Sequence, residues 1–249
     1  MFAKQKRLFE LARLILDVQF PRSLWAFGGG TALSAMYWQH RLSTDIDIFL
    51  YGGQDILSLI PNPKNRQLQS KIFKELYDLG FVDFYHNGYY LEYSFGENAK
   101  IQFMPSNALT AKPWSPMNVF GYADICVERI EEIIAKKIFY RYKELKPRDI
   151  IDIGVALKKN KNLLATLERN PHFSLDLLAD FAGRIEAANQ NGRLLEVVRQ
   201  EADVLQMQGR YKEMAYEAPH TIVSKIDSLL DRASLALWER QERKGFSGS

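Results

Sequence analysis

The chain has 249 residues, 47% of them apolar, which is enough for one large core or two modest ones and excludes a disordered chain. Its 33 basic and 30 acidic residues leave a formal net charge of +3, which excludes a basic surface spread over the whole protein. One cysteine excludes an internal disulfide, and no apolar stretch is long enough to span a bilayer, so we expect a soluble cytoplasmic protein with no membrane partner.

The first part of the chain predicts alternating helices and strands. Residues 4–18 carry apolar side chains at helical spacing, which predicts a helix. LWAF predicts a short strand that runs into GGGTAL, and residues 31–40 predict the next helix. DIDIFLY predicts a strand closed by two glycines, and residues 65–79 predict a helix stopped by Gly80.

Three β-prone runs follow, namely FVDFY, YYLEYSF and KIQFMP. The turn signal His86-Asn87-Gly88 separates the first two runs and is typical of a hairpin. We therefore expect antiparallel strands that extend a small mixed sheet.

Beyond residue 120 the β signal stops, and the rest of the chain is predicted to be helical. This change predicts an α+β fold with an α/β domain over residues 1–120 and a helical domain over residues 121–249. Cys126 falls within the predicted helix over residues 124–144 and is interpreted as a core residue. The predicted helices cover residues 124–144, 148–159, 175–188, 193–208 and 221–243.

Asp45 and Asp47 carry the strongest chemical signal. Because successive side chains of a strand alternate between faces, both acids project from one face while Ile46 and Ile48 project from the other. Two neighbouring carboxylates repel each other and are stabilised by a divalent cation, and hard oxygen ligands favour Mg²⁺. The alternative for an isolated Asp-x-Asp strand is a solvated polar face.

The glycine run Gly28-Gly29-Gly30 lies between a predicted strand and a predicted helix. Glycine lets the backbone approach a phosphate closely, and the amides at a helix start can bind anions. The alternative is a tight turn that needs glycine only for its backbone angles. The run lacks the lysine of an ATPase phosphate loop and the spacing of a dinucleotide-binding motif.

Three blocks in this order, GGGTAL, HRLSTDIDIF and KKIFYRYKELKPRDIID, resemble the AbiEii/AbiGii abortive-infection toxin family of nucleotidyltransferases. The resemblance spans roughly residues 24–157 and implies a minimal nucleotidyltransferase core, a small mixed sheet flanked by helices, followed by a helical domain that contributes to the nucleotide and acceptor cleft. It also implies Mg²⁺, in two ions with the bound NTP, a tRNA or other RNA acceptor, and a cognate antitoxin.

The resemblance assigns roles to individual residues. Asp45 and Asp47 match the paired metal ligands, Lys137 matches a lysine aimed at the triphosphate, and Asp149 and Asp152 match the acids of an arginine-aspartate block. The implied nucleotide-binding residues are Gly28, Gly29, Gly30, Thr31, Arg41, Ser43, Thr44, Lys137 and Arg148, and the implied catalytic residues are Asp45, Asp47, Asp149 and Asp152.

Several of these residues have alternative interpretations. Ser43 and Thr44 can donate to phosphate or cap the strand, and Arg41 can neutralise phosphate or form a surface ion pair. Asp149 and Asp152 lie three residues apart on one helix face, and Asp149 also suits a helix cap. A solvated helix face is the alternative to phosphate binding for the basic run Lys136, Lys137, Arg141, Lys143, Lys146 and Arg148.

At one position the chain departs from the superfamily pattern. Gln102 stands in KIQFMP where a third acid is expected, and an amide cannot supply that negative charge. Either Glu92 on the adjacent strand substitutes, or one ion binds less tightly, or the acceptor is activated differently, by Asp149 or Asp152. Loss of nucleotidyl transfer is a further alternative.

Three functions therefore remain in view. The first is Mg²⁺-dependent transfer of a nucleotide from an NTP to an acceptor hydroxyl. The second is transfer to a small molecule, as in antibiotic adenylyltransferases. The third is a non-catalytic descendant that binds a nucleotide or a protein.

Overall fold

A computed structural model of the protein describes residues 2–17, 20–53, 66–87, 89–96 and 99–246. The chain divides into two compact units, Met1–Ile133 and Ile134–Ser249. The first contains a seven-stranded mixed sheet with flanking helices, and the described part of the second contains only helices. The predicted α+β class, with a small mixed sheet followed by helices, is confirmed.

The first unit begins with alternating helices and strands, continues with three consecutive strands after its third helix, and ends with a hairpin. A 3-10 turn over Arg22–Leu24 precedes the first strand, and the helix that begins at Gly29 continues as a π-helical segment over Leu33–Trp38. In chain order the elements are α1 (Ala3–Leu16), β1 (Trp25–Gly28), α2 (Gly29–Ala32), β2 (Ile46–Tyr51), α3 (Arg66–Asp78), β3 (Phe81–His86), β4 (Leu91–Phe95), β5 (Ala99–Ser106), β6 (Trp114–Val119) and β7 (Tyr122–Glu128).

The strand order in the sheet is β3-β4-β5-β2-β1-β7-β6. Strand β2 runs antiparallel to β1 and parallel to β5, and β1 runs parallel to β7. The pairs β3–β4, β4–β5 and β6–β7 are antiparallel. Strands β1 and β2 therefore lie in the middle of the sheet, with the loop from β1 into α2 at their edge.

Helix α1 covers one face of this sheet. It packs on β2 and β5, and the Phe9 ring lies 5.2 Å from the Phe27 ring of β1. Ile46 and Ile48 of β2 are fully buried, whereas Asp47 between them is half-buried. The alternation predicted for this strand is therefore present, and Asp47 lies on the face opposite to the apolar residues.

Most predicted elements of the first unit are confirmed. The helix predicted from residue 4 is α1, and its predicted last residue, Val18, lies outside the described residues. The helix predicted over 65–79 is α3, with Asn65 likewise outside them. The predicted hairpin is β3 and β4, although Gly88 of its turn falls outside the described part of the chain. The helix predicted from Thr31 begins earlier, at Gly29.

The prediction of a helix over residues 124–144 is wrong in its first part. Strand β7 occupies the chain up to Glu128, and α4 begins at Ile130. Ile125 and Val127 are buried at strand spacing, so Cys126 lies half-buried in a strand and not in a helix. Strand β6 was not predicted because it contains Pro116, which an edge strand tolerates. The predicted domain boundary at residue 120 falls inside this hairpin.

From Ile130 onward every described element is a helix. Helix α5 (Pro147–Lys159) packs against α8 (Arg193–Val204), α9 (Gly209–Tyr216) and α10 (Ala218–Phe246). A Cβ added at Gly154 of α5 would lie within 3.0 Å of Ala218 on α10. The helices are α4 (Ile130–Arg141), α5 (Pro147–Lys159), α6 (Leu163–Glu168), α7 (Leu175–Asn189), α8 (Arg193–Val204), α9 (Gly209–Tyr216) and α10 (Ala218–Phe246).

Four of these helices confirm predictions, namely α5, α7, α8 and α10. Helix α8 ends before the predicted residue 208, because the chain turns at Gln206, whose φ is +55°. Helices α6 and α9 were not predicted, since each is too short to show a clear apolar period. Among the helices that the structure describes, none combines the length and apolar character needed to cross a membrane.

Candidate active site

A polar row crosses the face of the sheet opposite to α1. Asp47 of β2 is in register with Gly28 of β1 and with Gln102 of β5, and Gln102 is in register with Glu92 of β4. Residues in register on neighbouring strands point to the same face. The row therefore runs Gly28, Asp47, Gln102, Glu92 across four adjacent strands.

The backbone of Gly29 lies directly against the Asp47 carboxylate. Gly29 has a φ of +67°, a conformation that L side chains rarely adopt, and a Cβ added to it would lie within 3.0 Å of Asp47 Oδ2. Both the backbone angle and the contact therefore require glycine here. This contact joins two features that lie fifteen or more residues apart in the sequence, the glycine run and the paired acids.

Asp45 precedes β2 by one residue and is half-buried. Its charge helps to raise the pKa of Lys100, although the hydrogen bond from Lys100 to Glu92 has the largest effect. Lys100 and Gln102 lie two residues apart on β5 and so point to the same face. Asp45 lies close enough to Lys100 to affect its charge, and Asp47 is beside Gln102, so the two acids occupy the same side of the sheet.

The segment between α2 and β2 is tied to both neighbouring helices. Thr31 Oγ1 donates to Ser43 Oγ over 2.7 Å, and Ser34 Oγ donates to the Arg41 carbonyl over 2.5 Å. Gln5 of α1, only 3% exposed, donates from Nε2 to the Ser43 carbonyl over 2.7 Å. These bonds hold the chain that leads into the acids, and they give Thr31 and Ser43 a structural partner in each other.

Arg41 is buried beside the glycine run. It is only 3% exposed, its Nη1 donates to the Leu42 carbonyl over 3.0 Å, and a Cβ at Gly30 would lie within 3.0 Å of Nη2. The surface ion pair considered for Arg41 is therefore excluded by its burial. A guanidinium held against the loop gives this edge a local positive charge. Thr44, the last residue before Asp45, is half-buried.

Glu92, at the far end of the row, is bound by three donors. Its carboxylate accepts from Lys100 Nζ over 2.7 Å, from Gln102 Nε2 over 2.6 Å and from Ser94 Oγ over 3.0 Å. Burial acts to raise the pKa of Glu92, but the hydrogen bonds from Lys100, Gln102 and Ser94 outweigh it, so the pKa lies below its usual value. Glu92 is thus an ionised, fully engaged group one strand beyond Gln102.

Glu128 is a buried acid near the loop that the sequence did not reveal. A Cβ at Gly28 would lie within 3.0 Å of Glu128 Oε2, and Tyr51 Oη donates to Glu128 Oε1 over 2.7 Å. Burial and the Glu128 charge raise the pKa of Tyr51, and Tyr37 Oη donates to the Glu128 carbonyl over 2.8 Å. The alternation in YADICVE, which puts Asp124, Cys126 and Glu128 on one face, was the signal that was missed.

The helical unit holds the other predicted residues in a buried ionic cluster. Lys137 Nζ of α4 contacts Asp149 and lies 3.1 Å from Asp152 Oδ2, and Arg141 lies 3.4 Å from Asp149. Asp152 is fully buried, Asp149 is 4% exposed and Lys137 is 7% exposed. The predicted shared face of the two acids on α5 is present, with Lys137 held between them.

The rest of the basic run is more exposed. Arg148 pairs with Glu201 of α8 over 3.2 Å, and Lys146 pairs with Glu144 over 2.6 Å. Lys136, in contrast, is 8% exposed. The run is therefore neither a uniform solvated face nor a continuous patch of unpaired charge.

The donor set at Asp45 and Asp47 fits a magnesium ion that shares its ligands with a substrate. Mg²⁺ is usually held by one or two carboxylates, waters and substrate phosphates, and seldom by an all-protein cage. Within the described ranges no group of three or more His, Cys, Asp or Glu side chains is arranged to hold a metal. Two carboxylates, one of them in contact with the Gly29 backbone, agree with that mode of binding.

The glycine run and the Asp-x-Asp strand meet in a mixed sheet, and a family match gives the enzyme class: the chain is a nucleotidyltransferase, as predicted. The family described as "Nucleotidyl transferase AbiEii toxin, Type IV TA system" matches residues 11–232. The chain belongs to this family of toxin–antitoxin systems, as the three sequence blocks predicted. The family implies an NTP substrate and an antitoxin partner.

Solved structures share the fold. JHP933 from Helicobacter pylori is 19% identical, with a TM-score of 0.50, over 96% of this chain and 99% of that one. A second H. pylori structure, described as a nucleotidyltransferase, is 18% identical, with a TM-score of 0.51, over 91% of this chain and 97% of its own. The comparison with curated proteins gave no match. At these identities the likeness concerns the fold.

Proposed function

We propose that this chain is a Mg²⁺-dependent toxin that transfers an NMP from an NTP to a hydroxyl of an RNA acceptor such as tRNA, with Asp45 and Asp47 as the metal ligands. The observation that carries the proposal is the contact between the Gly29 backbone and the Asp47 carboxylate. It brings a site suited to phosphate and a site suited to a cation within one contact distance.

The proposed reaction is a substitution at the α-phosphorus of the NTP. The acceptor oxygen forms a bond to the α-phosphorus, the bond from that phosphorus to the bridging oxygen breaks, and pyrophosphate leaves with the bond electrons. When bound, Mg²⁺ acts as a Lewis acid that lowers the pKa of the acceptor hydroxyl and offsets phosphate charge, most simply as two ions with the NTP. The hydroxyl proton passes to solvent or to a carboxylate.

The protein's own groups position the triphosphate. The three glycines let other side chains pack against the backbone at this edge, with Glu128 against Gly28, Asp47 against Gly29 and Arg41 against Gly30. The backbone amides at the start of α2 are the groups suited to phosphate. Arg41 supplies a fixed positive charge beside Gly30, and the Thr31–Ser43 hydrogen bond holds the segment that carries the acids. Groups fixed before the substrate arrives contribute most to transition-state stabilisation.

Lys137, Asp149, Asp152 and Arg148 keep their predicted roles as proposals. The two carboxylates around Lys137 give its ammonium a fixed position. For Lys137 to reach a triphosphate it would have to exchange one carboxylate for a phosphate.

An RNA acceptor is favoured by membership of a toxin family, because an acceptor on which growth depends explains inhibition. The test uses purified protein, Mg²⁺, total cellular RNA and each of the four NTPs labelled at the α-phosphate. The proposal expects label in an RNA band with one preferred nucleotide and release of unlabelled pyrophosphate. EDTA should abolish the labelling.

Other outcomes point to the alternative functions. Label that appears only in a small molecule, after the RNA is replaced by a metabolite extract, would identify a small-molecule transferase. Nucleotide binding that requires Mg²⁺ but gives no labelled product with any acceptor would identify a non-catalytic descendant.

A further inference from the structure

The side chain of Gln102 stands between two acids of the polar row. It is in register with Asp47 on one side and with Glu92 on the other. Neighbouring strands lie about 4.8 Å apart, so both acids are within reach of its amide. Nε2 donates to Glu92 Oε2 over 2.6 Å. The nitrogen of the amide therefore points toward Glu92, on the side of β5 that pairs with β4.

The chemistry of Glu92 decides which end of the amide faces it. An ionised carboxylate only accepts hydrogen bonds, whereas an amide presents donors at nitrogen and an acceptor at oxygen. The Glu92 carboxylate already accepts from Lys100 and Ser94, so an amide oxygen turned toward it would place acceptor against acceptor. The nitrogen must therefore face Glu92, and Oε1 must point away from β4.

The carbonyl oxygen of this amide is available. In the part of the chain that the structure describes, no donor bonds Gln102 Oε1. The residue is half-buried, and the neighbour in register on the open side of β5 is Asp47. Neutral carbonyl oxygens are ordinary ligands of divalent cations.

We propose that Gln102 Oε1 supplies the third protein oxygen for the ion held by Asp45 and Asp47, and that Glu92 is a positioning residue that keeps the amide in the ligating orientation. The inference rests on the proposed function, because it requires an ion at those two acids. With a neutral amide at this position, the site has one negative charge fewer than it would have with a third carboxylate. The positive charge of Lys100, which interacts with Asp45, reduces the negative potential further. The ion therefore depends strongly on the charge of a bound triphosphate.

Replacing Gln102 by methionine tests the oxygen directly. Gln102→Met is neutral and similar in length, so it removes the ligand without changing the charge near the ion. The probe is Mn²⁺ alone, added to the full chain and followed by the loss of the free-ion EPR signal. We expect the Mn²⁺ affinity to fall about tenfold, since metal sites lose roughly 10–100-fold when a supporting group is removed.

Exchanging the two partners provides a second variant that keeps the hydrogen bond. In the double variant Glu92→Gln with Gln102→Glu, an amide still donates to a carboxylate and the total charge is unchanged. The carboxylate now lies on the strand next to Asp47, so Mn²⁺ should bind about tenfold more tightly than to the wild type. Ser94→Ala removes one donor to Glu92 but keeps the Gln102 contact, and it should leave the Mn²⁺ affinity nearly unchanged.

The outcomes separate this inference from the proposed function. If Gln102→Met and the exchange variant bind Mn²⁺ like the wild type while Asp47→Asn loses it, the role of Gln102 is refuted and the metal site stands. If Asp47→Asn also binds like the wild type, the assignment of the metal site itself fails. Should Gln102→Met fail to fold in a thermal melt, Gln102→Asn takes its place, because it keeps a neutral amide but withdraws the oxygen by one methylene. It should also weaken Mn²⁺ binding, and wild-type affinity would refute the role of Gln102.

Discussion

The substitution Gly29→Ala adds one methyl group and tests whether the contact between Gly29 and Asp47 is needed for nucleotide transfer as well as for folding. Gly29 has a φ of +67°, and a Cβ there would meet the Asp47 carboxylate within 3.0 Å. Gly80 has nearly the same φ, +72°, but nothing lies within 4 Å of its Cβ position. Gly80→Ala therefore carries the backbone strain without the collision and is a matched control for Gly29→Ala.

The two effects have different magnitudes and different readouts. A left-handed conformation costs an L residue about 1–2 kcal/mol. For a chain of this size each kcal/mol lowers the melting temperature by about 2–4 °C, so both variants should melt roughly 2–8 °C below the wild type. Only Gly29→Ala also forces the Asp47 carboxylate to retreat, by more than about 1 Å, before ordinary van der Waals contact is reached.

A displacement of this size at a reacting centre lowers the rate by about 100-fold. We therefore expect Gly29→Ala to lose about two orders of magnitude in nucleotide transfer, while Gly80→Ala stays near the wild-type rate. The assay is the initial rate of α-label transfer to the acceptor at saturating Mg²⁺, with a thermal melt of each variant. Equal rates for the two alanine variants would refute a role in transfer for the contact between Gly29 and Asp47.

Two further predictions concern groups outside that contact. Lys137→Met removes the ammonium that Asp149 and Asp152 share and should cost about 3–5 kcal/mol in urea unfolding, because breaking a buried ion pair is costly. Lys158→Met breaks an exposed pair and should have little effect, so equal losses would contradict the difference in burial. Burial raises the pKa of the Cys126 thiol, so less of it is thiolate at a given pH in the folded protein. At pH 8 a thiol reagent should therefore label folded protein more slowly than unfolded protein, and the rate for folded protein should rise above pH 9. Equal rates at pH 8 would contradict the half-buried position of Cys126 in β7.

The elements that could be predicted from the sequence are those whose pattern is local. Strand β2 shows both faces in its own residues, because acids alternate with Ile46 and Ile48. Strand β7 was predicted as helix because only Ile125 and Val127 mark its buried face and a helical run follows at once. Its pairing with β1 joins residues about one hundred positions apart, a contact that no local period reveals.

The residues of the candidate site also fall into two groups, those that the sequence identifies and those that only the folded structure brings together. The acids and the glycines could be identified because their spacing is visible in the chain and the family resemblance connects the blocks. Gln5 and Glu128 could not, since they contact Ser43 and Gly28, respectively, from elements distant in sequence. Each also looks like an ordinary polar residue of its own segment. The bond between Gln102 and Glu92 depends on the register of β4 and β5, which only the folded sheet defines.

Lys137 illustrates a different limit. The sequence predicts that Asp149 and Asp152 share a face of α5, and they do. It does not show that a lysine of α4 enters the space between them, because that depends on how two helices pack. The assignment of Lys137 to a triphosphate therefore stays a prediction that must account for two competing carboxylates.

The most direct test compares the wild type with the Asp45→Asn and Asp47→Asn variants in the transfer of α-labelled nucleotide to RNA with Mg²⁺. Both substitutions keep the size of the side chain and remove its charge, and Asp47 is half-buried, so the melting temperature should change little. We predict labelled RNA from the wild type and none above background from either variant. Labelling by either variant at the wild-type rate would contradict the assignment of these two acids as the metal ligands.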